Sequence, residues 1–249
     1  MSAWLFDLGN TRLKFARRDA EGGVGEVSSL DHRAGEDFSA LPDEVRGEVA
    51  WISAVASPAT RAAMVSVLGP RFARISFART LRRLEGMQIA YDVPTRLGVD
   101  RFLSLVAAHV AGEAILICGV GTALTLDLLD GSGLHRGGRI APSPTLMRES
   151  LHDRAKQLPL TGGDYAEFAD DTVHALASGC EGAALALIER SRDEAARMLG
   201  VAPRLWLHGG GAPALLSRID QAEARPRLVL EGLARWAALG DASQQRLDR

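Results

Sequence analysis

The first residues that could do chemistry lie between two short strands near the start of the chain. Trp4–Phe6 predicts a buried strand, Asp7 follows at its end, and a Gly9-Asn10-Thr11 turn leads into a second strand. Glycine lets backbone N–H groups turn toward an anion, and a threonine hydroxyl adds a donor. A carboxylate beside phosphate is repulsive unless a cation lies between them, so Asp7 suggests Mg²⁺, directly or through water. An ordinary β-hairpin explains the same residues equally well, and the phosphate interpretation needs a second loop.

A second carboxylate lies where the pattern predicts the start of a helix. From Asp100 onward, apolar residues recur at helical spacing. An aspartate at that end caps free N–H groups and faces the positive end of the helix dipole, which is a purely structural role. Arg101 in the first turn is unfavourable on the same grounds and therefore indicates an anionic partner. Both roles, capping and catalysis, stay open for Asp100.

The second half of the chain begins with the same pattern as the first. Residues 114–120 predict a buried strand, residues 121–125 a tight turn, residues 126–129 and 134–141 two further strands, and residues 142–144 the start of a helix. The layout matches residues 3–77 in pattern but not in sequence identity, which indicates a weak duplication. Two halves with Gly/Thr turns supply two phosphate loops, which we expect to face each other across a cleft.

The remaining elements place the chain in the α/β class. Strands come first and then alternate with helices. A long helix is predicted over residues 172–199, and Gly179 and Gly182 inside it suggest close packing with another helix. Leu228–Leu230 predicts a short strand before a last helix over residues 231–239.

Composition excludes several classes of protein. The chain has 249 residues, 24% of them charged, and a net charge of −2, so no global field attracts nucleic acid. No apolar run approaches the roughly 20 residues of a membrane span. Cys118 and Cys180 lie far apart, which argues against a disulfide framework or a zinc cluster and fits a reducing cytoplasm.

Five segments, taken in order, resemble the motifs of the type III pantothenate kinase family, known in part as the Bvg accessory factor family. They are DLGNT at 7–11, YDVPTRLGVDR at 91–101, GTALTLD at 121–127, GGRIAPS at 137–143 and DTVHALASG at 171–179. The resemblance implies two ribonuclease-H-like domains of the acetate/sugar kinase–Hsp70–actin superfamily, with an ATP cleft between them. We place these domains at residues 1–113 and 114–249, with a last helix that could pack back on the first domain.

The function implied by this resemblance is the ATP-dependent phosphorylation of pantothenate to 4'-phosphopantothenate, the first step of coenzyme A biosynthesis. It also implies Asp100 as the general base, a cytoplasmic homodimer, and no membrane or nucleic-acid partner. Two alternatives stay open. One is a non-catalytic regulatory protein of the same fold, and the other is a phosphotransferase of this superfamily that acts on another small alcohol or acid.

The resemblance also implies the residues that bind each ligand. The ATP phosphates would contact Asp7, Leu8, Gly9, Asn10, Thr11, Arg12, Leu13 and Lys14 in the first turn and Thr122 in the second, with Asp7 facing Mg²⁺. The pantothenate site would contain Tyr91, Gly98, Val99, Asp100, Arg101 and Thr172. Residues 209–212 would lie near the adenosine.

Two positions depart from the family pattern. The second phosphate loop of the family reads Asp-x-Gly-Thr-Ala, and that aspartate serves a monovalent cation such as K⁺ or NH₄⁺. Gly119 stands at its place here and cannot supply an anionic ligand, which puts the K⁺ site in doubt. Ser143 replaces the last glycine of the GGxIxPG motif. Both departures favour the regulatory alternative.

Overall fold

The structure, a computed structural model, describes residues 2–32, 37–109 and 112–247, with side chains described through Gly240. The chain forms two compact units. The first contains residues 1–110 together with 227–249, and the second contains residues 111–226.

The first unit is built on a five-stranded mixed sheet. Its elements are β1 (Ala3–Leu8), β2 (Arg12–Arg18), β3 (Val24–Asp31), β4 (Gly47–Ala54), helix α1 (Pro58–Leu68) and β5 (Phe72–Phe77). The strand order is β3-β2-β1-β4-β5, in which β2 runs antiparallel to β1 and β3, whereas β4 runs parallel to β1 and β5. The predicted hairpin and the alternation of strand and helix are therefore confirmed.

Aromatic packing fixes one face of this sheet. Phe6 lies between Phe15, at 6.2 Å between ring centroids, and Phe72, at 5.8 Å in an edge-to-face arrangement. Such pairs add to the free energy gained by burying their surface. Helix α1 begins at Pro58, where the Ser57 hydroxyl accepts a hydrogen bond from the Thr60 N–H at 3.1 Å. The Ser57 side chain thus caps the start of the helix.

A hairpin and three helical segments complete the first unit. They are β6 (Arg83–Leu84), β7 (Met87–Gln88), a 3₁₀ turn (Pro94–Arg96), α2 (Val99–Ala108) and α6 (Leu228–Leu247), the last element of the chain. Helix α2 and helix α6 pack against each other. The Trp236 ring lies edge-on to the Phe102 ring at 6.2 Å, and Arg235 donates a hydrogen bond to the Val106 carbonyl at 2.6 Å.

The short strand predicted over Leu228–Leu230 is wrong, because these residues form the first turn of α6. All three are buried, and a run of three apolar residues does not distinguish a buried strand from a buried helical turn. The sequence-based division at residues 113 and 114 left this segment with the second half. In the structure α6 packs on α2 and belongs to the first unit.

The second unit repeats the architecture of the first. Its elements are β8 (Ile115–Val120), β9 (Ala123–Leu129), β10 (His135–Pro142), α3 (Pro144–Arg154), α4 (Thr172–Leu199), β11 (Arg204–His208), α5 (Ala212–Leu216) and β12 (Ala222–Ala224). The strand order is β10-β9-β8-β11-β12, with the same directions as in the first unit. Each unit thus has the ribonuclease-H-like order, and the predicted fold class is confirmed.

The duplication differs from the sequence pattern in one helix. The layout read from the sequence matched α1 with α3, because each follows a run of strands. In the sheets, α1 connects β4 to β5 and α5 connects β11 to β12, so α5 is the counterpart of α1. Helices α3 and α4 are an insertion between the third and fourth strands of the second unit. None of the helices in the described part of the chain is both long and apolar enough to span a membrane.

Glycines in two helices have opposite surroundings. A Cβ at Gly232 in α6 would lie within 2 Å of the Leu103 carbonyl oxygen of α2. Among the residues that the structure describes, a Cβ at Gly179 in α4 would meet no atom within 4 Å, and one at Gly182 would only touch Tyr165 at 3.7 Å. Within the described part of this single chain, close helix packing occurs at Gly232 and not at Gly179 or Gly182.

Gly232→Ala should therefore separate α6 from α2 and lower the free energy of unfolding by about 1–3 kcal/mol, the usual cost of overpacking. The matched control is Gly179→Ala, which replaces glycine by a better helix former in open space. This substitution should raise the free energy of unfolding by up to about 1 kcal/mol. Urea unfolding followed by circular dichroism measures both variants. Equal stability of the two variants would contradict this account of the packing between α2 and α6.

Candidate active site

The first unit brings the two predicted carboxylates, Asp7 and Asp100, into electrostatic contact. Asp7 lies near the end of β1, directly opposite Lys14 on β2 and Ser53 on β4. The pKa of Asp7 is raised to about 7, first by burial and second by the charge of Asp100, whereas Lys14 and the Ser53 hydroxyl act to lower it. Two carboxylates that face each other favour either a shared proton or a cation between them.

Asp100 lies in the first turn of α2. Its Oδ1 accepts a hydrogen bond from the Arg101 backbone N–H at 2.8 Å, and a Cβ at Gly98, which precedes the helix, would lie 2.6 Å from the same oxygen. The lack of a side chain at Gly98 therefore makes room for the carboxylate. Asp100 fills the structural role of an acid at a helix N-terminus and also faces Asp7, so the two interpretations of the sequence are compatible.

A buried guanidinium adjoins this turn. Arg101 is only 7% exposed, and its Nη1 donates to the Tyr91 hydroxyl at 3.5 Å. A buried arginine is costly unless its donors and its charge are matched. The planar guanidinium fork suits a carboxylate, which it binds through two parallel hydrogen bonds. The structure thus places Tyr91, Gly98, Asp100 and Arg101 around one corner of the first unit.

The first Gly/Thr turn is held in place by a residue that the sequence analysis missed. The Gly9 N–H donates to the Arg12 carbonyl at 3.1 Å, which closes the turn. His32 Nε2 contacts the Gly9 carbonyl oxygen at 2.9 Å, and the His32 N–H donates to the Thr11 carbonyl at 3.2 Å. His32 therefore fixes two carbonyls of the turn, while Asn10 stays exposed. No sequence signal marks His32, because it lies 23 residues from Gly9.

The second Gly/Thr turn, in the second unit, connects β8 to β9. The Gly121 N–H donates to the Ala123 carbonyl at 2.9 Å, and the Thr122 carbonyl accepts a hydrogen bond from the Ser143 hydroxyl at 3.0 Å. The same Ser143 oxygen accepts from the Leu146 N–H at 3.2 Å and so caps α3. Ser143, which departs from the family pattern, thus ties the turn to the start of a helix.

Two other predicted positions also lie in the second unit. Thr172 is the first residue of α4, directly after the capping residue Asp171, and it is exposed. The glycine-rich turn after β11 passes close to β8. Gly209 has φ +96°, a Cβ there would lie 2.4 Å from the Val120 carbonyl oxygen, and the Gly211 N–H donates to that oxygen at 3.0 Å.

The donors of the first unit fit Mg²⁺ held together with a triphosphate. Magnesium is usually bound by one or two carboxylates plus phosphate oxygens and water, not by an all-protein cage. Asp7 offers such a carboxylate, and a bound cation would offset the burial and the Asp100 charge that raise its pKa. Within the described residues no group of three or more His, Cys, Asp and Glu side chains could hold a metal ion.

The raised pKa of Asp7 predicts a variant that is more stable than the natural chain. The unfolded state loses the Asp7 proton near pH 3.8 and the folded state near pH 7, so ionisation of Asp7 lowers stability as pH rises between these values. Asp7→Asn should therefore raise the free energy of unfolding at pH 8, without divalent cations, by on the order of 2 kcal/mol. This gain in stability is smaller than the full pKa shift of Asp7 implies, because the Asp7 side chain is partly exposed and solvent screens its charge.

Thermal melting at pH 8 and pH 5 measures this effect, which should shrink at the lower pH. Asp43→Asn is the control, since Asp43 is 93% exposed on its side chain. A lower melting temperature for Asp7→Asn than for the natural chain at pH 8 would contradict the assignment.

Comparison with known proteins agrees with the motifs. The family model described as type III pantothenate kinase matches residues 4–194. A type III pantothenate kinase of Stenotrophomonas maltophilia strain R551-3 is 54% identical over 241 residues, which cover 95% of this chain and 98% of that protein. One of Xylella fastidiosa strain M23 is 51% identical over 240 residues, which cover 96% and 98%.

A solved structure shares the fold. It is described as a conserved Baf family transcriptional activator from Campylobacter jejuni, and it matches with a TM-score of 0.64 over 96% of this chain and 99% of that one. At 18% identity this likeness shows the fold alone. The family model covers most of the chain, and relatives above 50% identity cover nearly all of it. The chain therefore belongs to the type III pantothenate kinase family.

Proposed function

We propose that this protein transfers the γ-phosphate of ATP to the hydroxyl of pantothenate, giving 4'-phosphopantothenate, the first step of coenzyme A biosynthesis. Family membership and the names of relatives at 51–54% identity support the substrate and the reaction. The observation that carries the proposal is the Asp7–Asp100 pair beside the buried Arg101. A kinase needs a carboxylate for the metal, a second one for the hydroxyl proton, and a group that orients the acceptor.

Asp100 acts in this proposal as the general base. Its position in the first turn of α2 is fixed by the hydrogen bond from the Arg101 N–H, and the lack of a side chain at Gly98 leaves space beside it. As the pantothenate hydroxyl attacks the γ-phosphorus, its proton passes to the Asp100 carboxylate, the bond from the γ-phosphorus to the bridging oxygen breaks, and ADP leaves. Phosphoryl transfer relies mostly on positioning and on charge stabilisation, so a rigid helix start is a suitable place for this group.

Arg101 orients the acceptor. Pantothenate carries a carboxylate, and the Arg101 guanidinium can bind it through two parallel hydrogen bonds. Tyr91, whose hydroxyl accepts from Arg101, lines the same site. Gly98 and Val99 at the helix start contribute backbone contacts, and Thr172 is assigned to this site by the family resemblance alone.

The two Gly/Thr turns bind the ATP phosphates. In the first, residues 7–14 supply backbone N–H groups, the Thr11 hydroxyl and the Lys14 ammonium, and Asp7 faces the metal. In the second, Thr122 contacts a phosphate, and residues 209–212 lie near the adenosine. Asp7 would hold Mg²⁺, which would neutralise phosphate charge and offset the negative charge of Asp7 and Asp100.

Other parts of the proposal rest on the family resemblance. They are the homodimer and the cytoplasmic location.

The regulatory alternative was based on two departures from the family motifs, Ser143 and Gly119. Ser143 keeps a definite structural role at the second turn, because it bonds both the Thr122 carbonyl and the Leu146 N–H. Gly119 is the remaining departure, and no step of this proposal uses a monovalent cation.

The experiment that tests the function is a kinase assay on the purified chain with ATP, Mg²⁺ and labelled pantothenate, with phosphopantothenate as the measured product. Asp100→Asn should lower kcat about 10²–10⁴-fold, the usual contribution of a general base, and leave the Kd for ATP nearly unchanged. The matched control is Asp43→Asn, the same chemical change at an exposed carboxylate, which should leave kcat unaltered.

Each outcome decides between the alternatives. Product formation that depends on Asp100 supports the proposal. ATP and pantothenate binding without any product points instead to the regulatory protein. Turnover of another small alcohol or acid in preference to pantothenate points to a different phosphotransferase of the same fold.

A further inference from the structure

One row of residues crosses the second sheet beside the second phosphate turn. Gly119 on β8 lies directly opposite Thr125 on β9 and His208 on β11. The neighbours of Gly119 along the strand, Cys118 and Val120, are in the hydrophobic core that involves α4 and α5. Since side chains alternate along a strand, Gly119 belongs to the opposite face.

The space that a side chain at Gly119 would need is filled by its two neighbours. A Cβ there would lie 2.6 Å from Thr125 Oγ1, and 3.0 Å and 3.2 Å from His208 Nε2 and Cε1. Real Cβ atoms essentially never show a contact as short as the one to Thr125, and the contacts to His208 are tighter than most, so the threonine hydroxyl and the imidazole lie directly over the glycine. At the position where the family motif has an aspartate, this chain thus has a glycine with the His208 imidazole beside it.

This row lies at the base of the predicted nucleotide site. Gly119 is two residues before the turn that contains Thr122. His208 is directly followed by the glycine turn, in which the Gly211 N–H donates to the Val120 carbonyl at 3.0 Å. A group placed here therefore supports both the second phosphate turn and the glycine turn.

The row does not fit a monovalent cation. Such a cation is held by several oxygen ligands, as in filters built from carbonyl groups, whereas imidazole suits transition metals. The row offers one hydroxyl oxygen and an imidazole nitrogen. The next carboxylate on this face of β9 is Asp127, which is buried and whose Oδ1 contacts His135 Nε2 at 3.0 Å.

We infer that the His208 imidazole, together with the Thr125 hydroxyl, takes the place of the monovalent cation in this chain, so that nucleotide binding requires neither K⁺ nor NH₄⁺. This inference rests on the proposed function for the identity of the nucleotide. An imidazole beside a glycine turn can donate a hydrogen bond and hold the turn in position without a bound ion. His208 is thus a positioning residue of the second phosphate turn.

The test measures binding of a non-hydrolysable ATP analogue with Mg²⁺ by calorimetry, in choline chloride and in KCl or NH₄Cl at equal ionic strength. For the natural chain the Kd should agree within about twofold among the three salts. A Kd that falls more than about fivefold in KCl or NH₄Cl, the range of a real coupling between sites, would overturn the inference. This readout does not depend on turnover. Tight binding without K⁺ but no phosphopantothenate would count against the proposed function only.

Two variants test the role of the imidazole. His208→Ala should weaken analogue binding about fivefold or more in choline chloride, and KCl should not restore it, since no carboxylate is present. The Gly119→Asp/His208→Ala double variant supplies a carboxylate and removes the imidazole, and rotation of the Thr125 side chain clears its hydroxyl from the new Cβ, so the Kd of this variant should improve in KCl. The inference would be overturned if His208→Ala bound the analogue with unchanged affinity. It would also be overturned if KCl did not lower the Kd of the double variant. Melting curves confirm folding, and His109→Ala, at a histidine in the first unit, is the control.

Discussion

The candidate site of the first unit is organised around one unfavourable arrangement, the burial of the Asp7 carboxylate beside the carboxylate of Asp100. Burial and the neighbouring charge raise the pKa of Asp7 to about 7, although Lys14 and Ser53 oppose the shift. A protein does not keep such a pair for stability, because an apolar or amide residue would be less costly. The pair is suited to a ligand that brings positive charge, and strained electrostatics of this kind are common at functional sites.

The rest of the unit holds this pair rigidly. Asp7 is fixed by the sheet, where β1 lies between β2 and β4. Asp100 is fixed by α2, and α2 is in turn held by α6, whose Gly232 allows the two backbones to approach closely. The last element of the chain thus supports a residue more than a hundred positions earlier. Precise placement of reacting groups is where phosphoryl transfer gains most of its rate.

Much of this arrangement could be predicted from the sequence, because local signals specify it. Both hairpin turns, the Ser57 cap and the start of α2 follow from residue types and spacing. The prediction of a strand over Leu228–Leu230 was wrong because three consecutive apolar residues show neither helical nor strand periodicity. His32 and His208 were missed for another reason. Their roles arise from sheet register and from a contact between distant segments, and no spacing along the chain encodes these.

The central claim, that Asp7 and Asp100 form one coupled pair, is tested most directly by carbon-detected NMR titration of the Asp7 carboxyl group. The account predicts a pKa of about 7 for Asp7 in the natural chain without metal or nucleotide. It predicts a lower pKa in Asp100→Asn, because the neighbouring charge is then removed. An Asp7 pKa near 4 in the natural chain, or one that the Asp100 substitution leaves unchanged, would contradict it.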